Sequence, residues 1–115
     1  MTMVNEIFNF LDKTNKTISF AESCTGGALS SSLTMIPGAS KVFLGSIVSY
    51  STNSKQKLLN IDKSDLDKYS PVSERVAITM AENVKNNLNL TTLFLLPVML
   101  DPQLMGKNQM LVIVL

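Results

Sequence analysis

Histidine is absent from the 115-residue chain. That removes the usual general base near neutral pH and the commonest metal ligand. Acid–base chemistry here must fall to lysine, tyrosine, aspartate or glutamate. Cysteine is almost absent as well. Cys24 stands alone, so no internal disulfide can form, and a cytoplasmic location is expected. One cysteine and scattered carboxylates make a poor ligand set, and no metal site is expected. An excess of charge of one sign is also missing: 10 basic side chains face 9 acidic ones, for a net charge of +1. Such a balance gives no electrostatic footprint for nucleic acid or an acidic membrane, and neither is expected as a partner. Long apolar runs are lacking too. The longest, residues 93–100, falls far short of the roughly 20 residues that cross a bilayer. The opening MTMVNEIFNFLDK carries charges where a secretory signal needs an apolar segment, so no signal peptide is expected.

What remains is 45% hydrophobic, the composition of a globular chain, long enough for one domain with a modest core. The stretch TISFAESCTGG, residues 17–27, organises it. Its first half alternates, with Ile18 and Phe20 on one side and Thr17 and Ser19 on the other, which predicts a strand. A polar turn with two adjacent glycines follows, and then a helix over 28–35. In an open α/β sheet such a turn lies at the carboxyl edge, where ligands bind. Gly26 and Gly27 let the backbone turn sharply and approach a ligand. The helix start behind them offers amides suited to a phosphate or an oxyanion. The plainer alternative makes Ser23 or Thr25 merely the N-cap of that helix.

Elsewhere, Val4, Ile7, Phe8 and Leu11 at helical spacing predict a first amphipathic helix. Residues 42–44 are apolar and ambiguous, and GSIVSYS, residues 45–51, predicts a second strand. Residues 52–54 can open a helix running to Leu59, with Lys55 in its first turn. Asp62, Ser64 and Asp65 before Leu66 form a capping pattern. Ser73 is the expected N-cap of a long helix over 74–88, whose Val76, Met80, Val84 and Leu88 recur on one face beside Ala77 and Ala81. Alternating strands and helices predict an α/β layered domain. If the two strands are parallel neighbours, Ser23, Tyr50 and Lys55 converge at one crevice. A partly desolvated lysine beside a serine can act as its base, a known variant of the serine-nucleophile arrangement. Each of the three also has a plainer role: a cap, a strand end, a solvated charge.

The segments AESCTGG, PGAS, VSYS followed by lysine, and VSE, in this order and spacing, resemble the carboxyl-terminal domain of the CinA competence/damage-inducible proteins. The resemblance covers residues 17 to about 87. It implies a three-layer α/β/α sandwich and, from free-standing members, hydrolysis of nicotinamide mononucleotide to nicotinic acid mononucleotide and ammonia, a step of pyridine nucleotide salvage and NAD metabolism. It implies no metal and no organic cofactor. Carried over, Ser23 is the nucleophile, Lys55 its base and Tyr50 a hydrogen-bonding assistant, while Thr25, Gly26, Gly27 and Ser51 shape the substrate site. The expected partner is a small-molecule nucleotide; self-association into a homo-oligomer is left open.

After residue 90 the chain departs from the pattern. Family members continue with a strand and a TG-x-AGP turn that completes the site. This chain reads LFLLPVMLDPQLMGKNQ instead, with Pro97 inside a strand-like run, and ends in the β-type run MLVIVL. A set of codons for residues 93–102 exists that, read from the third base, spells Ile-Ser-Phe-Thr-Gly-Asn-Ala-Gly-Pro, a strand and the missing turn. The expectation is a single domain over residues 1–115, family-like over 1–90. Its reading frame would shift near residues 89–92, leaving a divergent tail and a domain incomplete at its carboxyl end. A non-catalytic nucleotide-binding or regulatory domain, or a decayed inactive fragment, is the alternative to the amidase.

Overall fold

The computed structural model describes residues 2–71, 73–88 and 113–114. Helix α1, Met3–Lys13, starts where the Thr2 hydroxyl accepts from the Asn5 amide at 3.3 Å. Leu11 is its buried anchor, with Val4, Ile7 and Phe8 packed beside it. Strand β1, Ile18–Glu22, follows and is buried along its whole length. The chain then makes the glycine turn, enters α2, Ala28–Thr34, and passes a 3-10 turn at Ala39–Lys41. Strand β2 spans Phe43–Val48. Two of the three ambiguous residues, Phe43 and Leu44, therefore belong to it, and it ends before Ser49, three residues short of the expected end. Pairing explains the early stop: β1 runs out at Glu22, opposite Val48.

Helices α3, Thr52–Leu59, α4, Lys63–Tyr69, and α5, Glu74–Asn87, complete the sequence-predicted helical elements. Ser73 caps α5 through its hydroxyl, which accepts from the Val76 amide at 3.3 Å. Asp62 holds the N-cap position of α4 without a side-chain capping bond. Strands β1 and β2 are parallel neighbours. A short β3, Ile113–Val114, pairs antiparallel with β1 on its other side, giving the order β2-β1-β3. Those two residues are the described part of the terminal β-type run. The run broken by Pro97 lies outside the described residues, as does the rest of the tail from residue 89 to 112.

Alternation along β1 sends its side chains into two cores. Ile18 and Phe20 join Leu11, Leu33 and Val42 on the side of α1 and α2. Ala21 joins Leu59, Ile61, Leu66, Val76, Met80 and Val84 on the side of α3, α4 and α5. Helices thus cover both faces of the sheet, the three-layer α/β/α arrangement. Each fully buried aliphatic side chain contributes on the order of 1.5–3 kcal/mol. For the site, the consequence is geometric: both parallel strands point their carboxyl ends at the same edge, one delivering the 23–27 turn and the other α3.

Candidate active site

Lys55 occupies the first turn of α3. Ser51 starts that helix, its hydroxyl accepting from the Ser54 amide at 3.1 Å. The lysine side chain turns back over the end of β2 and is only 3% exposed. Its amine donates to the Ser49 carbonyl at 2.7 Å, the Tyr50 carbonyl at 3.2 Å and the Ser23 hydroxyl at 2.9 Å. Residues 32 apart in sequence are thereby joined. Burial holds the Lys55 proton affinity below the ordinary lysine value, partly offset by the nearby Cys24. Desolvation disfavours the charged form.

This geometry suits a base. As an ammonium, Lys55 satisfies all its N–H bonds with three acceptors. As a neutral amine it keeps two N–H bonds for the Ser49 and Tyr50 carbonyls, and its lone pair then faces the Ser23 hydroxyl. The two carbonyls therefore orient the amine.

Ser23 sits at the first position of the turn. Gly26 and Gly27 both take positive φ, 61° and 104°, which side chains adopt only with strain. A Cβ on Gly27 would make ordinary van der Waals contact with Val48 Cγ2 at 3.7 Å, so the positive φ and not a clash favours glycine there. The turn closes through Gly26 N–H to the Ser23 carbonyl, 3.0 Å, and Ala28 N–H to the Thr25 carbonyl, 3.1 Å. The amides of Thr25 and Gly27 have no backbone acceptor among the described residues.

The N-terminus of α2 differs from the sequence-based expectation. Neither Ser23 nor Thr25 caps it. Gly27 holds the N-cap position with no side-chain bond of its own. Glu22, at the end of β1, reaches across instead: its carboxylate accepts from the Leu29 amide at 2.8 Å and the Ser30 amide at 3.2 Å. It accepts in addition from the Thr25 hydroxyl at 2.9 Å and from the Ser30 hydroxyl. The helix amides expected to be free for a phosphate or an oxyanion are thus taken by an internal carboxylate. Burying a carboxylate without a cation costs several kcal/mol. Charge-assisted hydrogen bonds of about 1.5–3 kcal/mol each and the helix N-terminus offset that cost.

The remaining sequence-assigned residues are placed as follows. Tyr50 contributes its carbonyl to the lysine, while the residue is 74% exposed. Ser51 serves as the α3 cap. Thr25 is bonded to Glu22, so it shapes the turn through that carboxylate. Glu22 is the participant that sequence reasoning did not single out. Its one signal is an acidic residue directly before the Ser23 turn, and strand ends carry such residues for many reasons. Among the described residues no cluster of histidine, cysteine or carboxylates is arranged to hold a metal ion, and no helix is long and apolar enough to cross a membrane.

An α/β/α layered domain with a serine–lysine pair at the carboxyl edge of its parallel strands is the class these features define. The family model for the CinA C-terminal domain matches residues 1–92, and the chain belongs to that family. A CinA-like protein of Prochlorococcus marinus (strain MIT 9215) is 56% identical over 87 residues, covering 76% of this chain and 20% of the relative. One from Petrotoga mobilis is 52% identical over 79 residues, covering 69% of this chain and 20% of the relative. The chain thus spans about a fifth of the length of the curated relatives it matches. Among solved structures, a competence-damaged protein (CinA) superfamily protein from Escherichia coli superposes with a TM-score of 0.74 at 29% identity. That match covers 77% of this chain and 52% of that one. A competence/damage inducible protein from Agrobacterium tumefaciens gives a TM-score of 0.70 at 30% identity, covering 73% and 51%.

Proposed function

We propose that the chain is an amidohydrolase converting nicotinamide mononucleotide to nicotinic acid mononucleotide and ammonia, with Ser23 as nucleophile and Lys55 as its base. One observation carries the reading: a buried amine of lowered proton affinity lies 2.9 Å from a turn serine, in a chain without histidine. Membership of the CinA family supports the choice of substrate class.

In this mechanism the neutral Lys55 amine takes the proton of Ser23 as its oxygen attacks the carboxamide carbon. The carbonyl oxygen becomes an oxyanion, for which the Thr25 and Gly27 amides are the candidate donors. The Lys55 ammonium then gives its proton to the departing nitrogen, and ammonia leaves an acyl ester on Ser23. Water attacks the ester, Lys55 takes the water proton, and collapse returns it to Ser23 with release of the acid. Each proton is carried by one of two side chains already in contact. The phenol of the exposed Tyr50 hydrogen-bonds the bound substrate in this reading. Since Glu22 occupies the Leu29 and Ser30 amides, the nucleotide phosphate binds elsewhere than at the start of α2.

Incubation with nicotinamide mononucleotide tests the proposal. Ammonia and nicotinic acid mononucleotide should appear in equal amounts. Calorimetric binding without ammonia would make the chain a nucleotide-binding domain, and neither binding nor release would remove the nucleotide reading altogether.

A further inference from the structure

Among the described residues, Glu22 is the buried charged group that this mechanism leaves unused. It is 3% exposed and immediately precedes Ser23. Its side chain gathers the Thr25 hydroxyl, the Leu29 and Ser30 amides and the Ser30 hydroxyl. The Ser30 hydroxyl oxygen in turn accepts from the Ser46 hydroxyl of β2 at 2.7 Å. The carboxylate therefore ties the end of β1, the glycine turn, the first turn of α2 and the neighbouring strand into one hydrogen-bonded unit. Its main chain does a second job. The Glu22 carbonyl accepts from the Ser49 amide at 2.9 Å, and Ser49 offers its own carbonyl to the Lys55 amine at 2.7 Å. One residue is thus joined to Ser23 by a peptide bond and to Lys55 by two successive hydrogen bonds through Ser49.

We infer that Glu22 is the positioning residue of this site, its carboxylate fixing the 23–27 turn that presents Ser23 and its carbonyl fixing the strand end that orients Lys55. The inference rests on the reading of Ser23 and Lys55 as nucleophile and base. A general helix cap would need only the two amides. Here the carboxylate also holds a hydroxyl inside the turn and, through Ser30, the partner strand. Such over-determination suits a turn whose two glycines would otherwise leave it loose. Displacement of a nucleophile by about 1 Å is enough to lower turnover by roughly a hundredfold.

The test compares the parent with Glu22→Gln, which keeps shape and volume. Its carboxamide cannot accept at both ends, and its NH2 confronts one of the amide donors. Ser30→Ala serves as the milder second variant. Two quantities are read: turnover with KM, and the titration midpoint of the Lys55 ε-carbon by NMR, which needs no substrate. Glu22→Gln should lower kcat about tenfold or more with KM held within about threefold. It should also move the Lys55 midpoint upward, as water reaches the loosened pair. Ser30→Ala should do the same to a smaller degree. Leu11→Val, a core change on α1 outside the hydrogen bonds that Glu22 gathers, should lower Tm without moving the midpoint. An unchanged midpoint in folded Glu22→Gln or Ser30→Ala overturns the positioning role, as does an equal shift in Leu11→Val. A midpoint shifted in Glu22→Gln, with a parent that releases no ammonia, supports the positioning role and overturns the amidase reading alone.

Discussion

Replacing Lys55 by methionine removes the amine and keeps an apolar stem of similar length. Two effects on stability oppose each other. The Ser49 and Tyr50 carbonyls lose donors at 2.7 and 3.2 Å, and an unsatisfied buried acceptor costs about 1–3 kcal/mol. Against this, the burial of an amine whose proton affinity is already depressed by desolvation is relieved, an effect of comparable size. The net change in stability should stay within about 2 kcal/mol, and Lys55→Met should fold. Turnover has no such compensation. A positioned general base supplies about 10²–10⁴-fold, which at about 1.4 kcal/mol per factor of ten is roughly 3–6 kcal/mol on the barrier. Coupled detection of ammonia, paired with a thermal melt, should therefore find kcat reduced at least about a hundredfold, KM little changed and the melt cooperative. Retained turnover with a raised KM would refute the reasoning and make Lys55 a phosphate contact.

Three other outcomes are expected. Because catalysis needs the neutral amine, kcat/KM should rise with pH through a midpoint below the ordinary lysine value, and Lys55→Arg should abolish the activity along with that limb. For stability the sign follows from the same shift. The folded state holds the Lys55 proton less tightly than the unfolded chain does, so this group adds stability as pH rises from its lowered midpoint toward about 10.4; chemical denaturation across that window reads it. Leu59→Ala, at a fully buried position of the α3–α5 core, should cost about 2–5 kcal/mol in denaturant titration. If a shift of frame near residues 89–92 separates the tail from the family-like part, a chain with the frame restored should gain both Tm and turnover; no gain in either would dismiss the shift.

The order of elements was legible because each carries a local cause. Ile18 and Phe20 alternate, Val76, Met80 and Val84 recur at intervals of four, and Ser73 stands at a helix start where its hydroxyl does cap. The meeting of Ser23 with Lys55 was legible as well, since parallel neighbouring strands bring their carboxyl ends to one edge. Other features depend on tertiary reach. Glu22 caps a helix that begins six residues later, by folding back over the turn, and no spacing rule for N-caps anticipates that. Tyr50 stands five residues before the lysine and bonds to it, yet its carbonyl makes the contact, a distinction that residue identity does not carry. The early end of β2 was set by the length of its partner strand, and the alternation of its own residues continues past it.

Ser23→Ala in the ammonia-release assay bears most directly on the central claim. Ser23 lies on a partly exposed turn outside both cores, so the variant should fold and bind the nucleotide by calorimetry as the parent does. Ammonia release should be lost. Release at the parent rate would show that Ser23 is not the nucleophile and that the serine–lysine pair is not the reacting centre.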